Sequence, residues 1–216
     1  MRFLVLGGTG PCGILLIRRL LSRYPSDTVI VYARNPQKLP PSLNEKLVII
    51  KGELTDKEGI ERALDGVDVI LSALGPAFGQ PTDTPLAKGY KVVIEAMEKW
   101  GIKRLIALGT TSIVDPADRS SLAYSCMINV VKAGARSAYE DIVAVGNVIR
   151  DRGRELDWTI VRVPILTNSD DTKVTAGYVG DGKVGTTLPR KAFAAFVVEE
   201  IQQRKWVKKA PLITAG

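Results

Sequence analysis

Gly7-Gly8-Thr9-Gly10-Pro11-Cys12-Gly13 is the stretch of this chain whose residue types and spacing point most directly to chemistry. It follows the apolar run Phe3 to Leu6 and opens the amphipathic stretch Ile14 to Leu21. A strand, a glycine turn and a helix in that order make a site for the phosphates of a dinucleotide. Gly7 takes the tight turn, Gly10 lets the backbone approach the pyrophosphate, and Gly13 lets the helix lie against the strand. The helix N-terminus adds free N–H groups and partial positive charge, so Thr9, Pro11 and Cys12 count with the glycines as cofactor-binding positions. A second apolar run, Thr28 to Ala33, ends in Arg34, with Lys38 four residues on. An acid at the end of this second strand grips a ribose 2′-hydroxyl, whereas a base there pairs with a 2′-phosphate. Arg34 and Lys38 therefore point to NADP(H) over NAD(H).

Positioning these residues takes a scaffold of alternating strands and helices. Apolar runs predict strands near 2–6, 28–33, 47–51, 67–74, 103–109 and 156–163, and amphipathic patterns predict helices near 11–24, 56–65, 86–100 and 137–152. A last helix near 190–204 and a short strand near 207–213 close the pattern. This is the signature of an α/β Rossmann-type doubly wound parallel sheet, expected as a single domain over 1–216. Irregular stretches at 75–85, 110–122 and 164–189 each follow a strand, where such sheets bind ligands, and are the expected substrate loops. In the first, Leu74 and Gly75 are placed to meet the cofactor ribose through the backbone.

Composition narrows the classes. The chain has 216 residues, 45% hydrophobic and 25% charged, with a net charge of +7. The basic residues are scattered and no nucleic-acid motif accompanies them, so the charge favours small anionic ligands instead. Two cysteines, Cys12 and Cys126, make no disulfide framework, and no apolar run nears the roughly 18 residues of a membrane span. A cytoplasmic, non-membrane protein that acts on a small molecule as a monomer or homodimer is expected. Histidine is absent, which removes Ser-His-Asp and Cys-His mechanisms and the commonest transition-metal ligand, and no metal is expected.

The glycine loop, Ala33-Arg34-Asn35-Pro36-Gln37-Lys38-Leu39, Gly52-Glu53-Leu54-Thr55-Asp56 and Leu156-Asp157-Trp158-Thr159-Ile160-Val161-Arg162 leading into Pro164 together resemble the atypical short-chain dehydrogenase/reductases with an NAD(P)H-binding domain, especially the biliverdin reductase B and flavin reductase group. The resemblance covers nearly the whole chain. It implies that Glu53 and Leu54 lie beside the adenine, contacting it through backbone groups, and that Thr110, Thr111 and Ser112 follow the fifth strand where the superfamily carries its catalytic serine. Ser112 is the nominal catalytic hydroxyl, with a backbone cap as the alternative reading, and Thr110 is placed to reach the nicotinamide ribose. Tyr139 falls near the superfamily's catalytic tyrosine. Its partner four residues on is Val143, and Tyr124 has Ile128, so neither has the lysine of Tyr-x-x-x-Lys.

Two functions remain open on this reading. One is an NADPH-dependent reductase that passes hydride to a planar conjugated molecule of flavin, quinone or tetrapyrrole type, or to a secondary-metabolite intermediate. The other is a non-catalytic NADP(H)-sensing regulatory protein.

Overall fold

The computed structural model describes residues 1–76, 79 and 81–216, and every structural statement below concerns those residues. The chain order is β1 (Arg2–Leu6), α1 (Pro11–Arg23), β2 (Thr28–Ala33), a 3₁₀ turn (Pro36–Lys38), α2 (Pro41–Asn44), β3 (Val48–Lys51), α3 (Lys57–Ala63), β4 (Val69–Ser72), α4 (Pro85–Trp100), β5 (Arg104–Thr110), α5 (Leu122–Gly134), α6 (Arg136–Arg152), β6 (Asp157–Val163), β7 (Ile165–Thr167), β8 (Val174–Gly177), β9 (Thr187–Pro189), α7 (Arg190–Gln203) and β10 (Leu212–Ala215). The main sheet runs β3-β2-β1-β4-β5-β6-β10-β8, and β7 pairs with β9 in a small second sheet. Pairing is parallel from β3 through β10, and β8 closes the edge antiparallel to β10. The order reverses between β1 and β4, which opens a crevice at the carboxyl ends of those strands.

Alternate residues of each central strand feed opposite cores. Leu4 and Leu6 of β1 face one core with α3, α4 and α6, whereas Phe3 and Val5 face the other with α1 and α7. Burial on both faces explains why the strands read as continuous apolar runs. The expected elements are present, with ends displaced by no more than two residues except at the start of the last strand.

Three differences from the sequence expectation have physical reasons. The helix α5 has no readable stripe: its apolar residues lie all round the axis and only Tyr124 is buried. The stretch 164–189 holds β7, β8 and β9, each too short to show a period. The last strand begins at Leu212 rather than near 207, because Lys208 takes a left-handed turn with φ +56° and only Lys209 bridges to Thr159 before it.

Candidate cofactor and active site

The glycine loop is built as a turn under a helix end. Gly7 has φ +74°, and a Cβ there would lie 2.8 Å from Ala73 C and Leu74 N, so both conformation and space require glycine. The turn closes through Gly10 N–H donating to Gly7 O at 3.1 Å. A Cβ on Gly13 would fall 2.1 Å from Gly7 O, so its close approach is to the turn backbone, where the sequence suggested the strand. Gly10 is different: the nearest atom to a Cβ there is Gly7 O at 3.5 Å, an ordinary contact, and the rest of its surroundings is open. No side chain caps α1, which begins at Pro11 after Gly10. The first-turn N–H groups of Cys12 and Gly13 thus stay available to an anion, and the loop fits a dinucleotide phosphate. Cys12 is buried in that first turn, and burial pushes its thiol pKa up against the pull of Arg190.

A cleft of about 630 Å³ opens beside the loop. Its lining includes Gly7, Thr9, Arg34, Lys38, Glu53, Leu54, Leu74 and Gly75 of the sequence candidates, together with Tyr32, Pro85 and Leu86. Arg34 leaves the end of β2, and the 3₁₀ turn that follows it carries Lys38 back to the same cleft. Both side chains are exposed and neither makes an ion pair among the described residues. Glu53 O is already committed, accepting from Tyr32 Oη at 2.9 Å and from Asp56 N at 3.0 Å. Its N–H and carboxylate are the groups left for a base. Ala77, Phe78 and Gln80 of the expected 75–85 loop lie outside the described residues.

Tyr32 is a site residue that the sequence reading missed. Burial and the nearby Asp56 carboxylate push its phenol pKa up to about 12, so it stays a donor at neutral pH. Gly52 and Gly59 make room for it: a Cβ at either would lie 2.1 and 2.5 Å from Tyr32 Oη. Asp141 was missed as well. Fully buried on α6, it accepts from the N–H groups of Leu86 and Ala87 at 3.0 and 2.9 Å, and so caps the cleft-lining end of α4. Thr84, which precedes that helix, is held at φ +53° and supplies no side-chain cap.

The catalytic candidates lie beyond the cleft, on the side of β5 and α6. Thr110 ends β5, and its Oγ1 accepts from Ser112 N at 3.3 Å, so this hydroxyl acts as a local backbone acceptor. Ser112 is 5% exposed. Gly146 of α6 packs on Ile113, since a Cβ there would lie 2.7 Å from Ile113 Cγ2. Tyr139, seven residues earlier, shares that helical stripe and is half-buried. The lysine nearest its ring comes from α5: Lys132 Nζ lies 5.6 Å from the ring centroid, over the face rather than in the place of Val143.

Arg162, from the segment that carries the resemblance, is wholly buried and forms a two-pronged pair with Asp118 at 2.6 and 2.8 Å. Its remaining bonds reach Ile113 O and Ala210 O. Burial opposes the Asp118 charge, but Arg162 and the backbone N–H groups of Asp115 and Val179 outweigh it and hold that pKa below the usual range. Arg162 thus fastens the segment after β5. Among the described residues no group of three or more metal-ligating side chains comes together, and no helix is long and apolar enough to cross a membrane.

A family model described as NAD(P)H-binding matches residues 7–204. The chain belongs to that family. A short-chain dehydrogenase/reductase from Veillonella parvula DSM 2008, in complex with NADP, superposes with TM-score 0.79 at 16% identity, covering 99% of this chain and 94% of that one. ChuY, an anaerobillin reductase from Escherichia coli O157:H7, superposes with TM-score 0.79 at 17% identity, covering 99% and 97%. Likeness at these identities shows the Rossmann fold. A UDP-N-acetylglucosamine 4,6-dehydratase (inverting) of Campylobacter jejuni is 25% identical over 173 residues, 69% of this chain and 50% of that protein. The chain spans half or less of the length of the curated relatives it matches.

Proposed function

We propose that this NAD(P)H-binding protein is an NADP(H)-dependent reductase whose acceptor is a planar conjugated small molecule. The observation that carries the reading is the pair Arg34 and Lys38, two cations without carboxylate partners on one cleft at the end of β2. A 2′-phosphate is the anion that this position serves. Gly7, Thr9, Gly10, Pro11, Cys12 and Gly13 hold the diphosphate on this reading, Glu53 and Leu54 meet the adenine, and Leu74, Gly75 and Thr110 lie toward the nicotinamide ribose. Burial pushes Tyr90 to about 12, and it donates to Ser72 Oγ at 2.7 Å, beside the Leu74 end of the cleft. The bound nicotinamide supplies the hydride. The chain's own task is orientation and electrostatics, which suits a protein without histidine. Ser112 or water supplies the proton, and Tyr139, with Val143 in the lysine's place, is a secondary candidate. That one fold relative is a reductase and another binds NADP supports this reading.

The missing lysine partner of Tyr139 equally favours a second reading, an NADP(H) sensor without turnover. Incubation with NADPH and a panel of flavins, quinones and linear tetrapyrroles, followed at 340 nm, separates the two. Sustained oxidation with at least one acceptor is expected. Tight NADPH binding with no acceptor-dependent oxidation establishes the sensor and rejects the reductase.

A further inference from the structure

Arg190 opens α7 directly after Pro189 and packs where α7 meets α1. Its Nη1 donates to Leu166 O at 3.4 Å, Thr167 O at 3.2 Å and Asn168 Oδ1 at 2.7 Å, which fixes the guanidinium beside the exit of β6 and β7. Its positive field also reaches the Cys12 thiol, in the first turn of α1 under the glycine loop. Several cations on or beside α7 have carboxylates. Arg104 pairs with Glu200, Lys191 with Asp170 and Arg204 with Asp157. Arg190 is half-buried, and among the described residues its partners are all neutral oxygens and a protonated thiol. A partly desolvated guanidinium without a counter-charge is costly, and a planar fork of five donors matches phosphate oxygens.

We propose that Arg190 is a further cofactor-binding residue, which supplies the diphosphate of the bound dinucleotide with the positive charge that the glycine loop lacks. The inference rests on the reading of the glycine loop as the dinucleotide site. It also gives the 165–168 segment a role. The guanidinium that meets the diphosphate is the one that holds Leu166, Thr167 and Asn168, so cofactor binding firms that segment.

The test uses ligands that carry different phosphates. Binding of NADP⁺, NAD⁺ and 2′-AMP to wild type, Arg190→Gln and Arg190→Lys is measured by calorimetry, with folding checked by far-UV circular dichroism. Arg190→Gln is expected to weaken NADP⁺ and NAD⁺ alike, by about tenfold or more, since a charge-assisted contact is lost. Binding of 2′-AMP, which has no diphosphate, stays within about twofold, and Arg190→Lys falls between. Unchanged dinucleotide binding in a folded Arg190→Gln overturns the proposal, as does an equal loss of 2′-AMP. A wild type that binds no dinucleotide overturns the reading of the loop itself, which is a different result. A second measurement needs no stable variant. In the wild type, the Arg190 side-chain N–H resonance is expected to move when NADP⁺ is added and to stay in place with 2′-AMP; a resonance indifferent to both contradicts the proposal.

Discussion

Arg34 and Arg162 show two uses of one side chain. Arg162 is wholly buried and pairs with Asp118, a carboxylate held below its ordinary pKa, whereas Arg34 is exposed on the cleft with no carboxylate partner. The first therefore serves the fold, and the second, on the proposed reading, takes the 2′-phosphate. Asp118→Asn leaves the guanidinium buried without its counter-charge, and should lower stability by about 3–5 kcal/mol. Because the folded pKa of Asp118 is depressed, the pair's contribution is present above the ordinary carboxylate range near pH ~3.9 and lost as pH falls below it. Denaturant midpoints measured from pH 7 down to pH 3 should show a constant gap between wild type and Asp118→Asn above about pH 5 and a narrowing one below about pH 4. A gap that stays constant over the whole range would show that the pair's charge contributes nothing. Arg162 is legible in the sequence as part of a familiar segment, but its partner is not, since Asp118 lies 44 residues away in an irregular stretch.

At the scale of elements, the glycine loop divides into positions required by the fold and one, Gly10, that on the proposed reading only the ligand requires. Gly13 touches the turn backbone so closely that Gly13→Ala must push α1 off Gly7, an overpacking that typically costs about 1–3 kcal/mol. Gly10 has extended dihedrals of φ −83° and ψ 164°, which suit a β-branched residue, and open space beside it. Gly10→Val should therefore keep the wild-type urea midpoint and lose NADP(H) binding, while Gly13→Ala loses stability first. Equal destabilisation of the two variants would refute this division. The loop was legible because its glycines sit between a strand and a helix close in sequence. By contrast, the cap that Asp141 gives α4 joins residues 54 and 55 positions apart, and no local pattern announces it. The helix α5 hid for a related reason: propensity without a one-sided apolar stripe carries no period.

At the scale of the whole molecule, the strand order places the ends of β1, β2, β3 and β4 around one cleft, and that is why Thr9, Arg34, Glu53 and Leu74 meet although they span 65 positions of sequence. Alternation of apolar runs and helical patterns was enough to read this sheet, because both of its faces are covered. Side-chain partners across the sheet, such as Tyr32 with Glu53 O, were beyond that reading, since register and rotamer decide them. On the proposed reading this cleft is shaped for a 2′-phosphate, and the direct measurement is the dissociation constant of NADPH and of NADH for wild type and Arg34→Ala. A charge-assisted phosphate contact is worth on the order of 1.5–3 kcal/mol, roughly a 10- to 150-fold preference. NADPH is expected to bind the wild type more tightly by such a factor, with Arg34→Ala removing most of the difference and leaving NADH affinity nearly unchanged. Equal or tighter binding of NADH by the wild type, or an equal loss for both cofactors in the variant, would contradict the account.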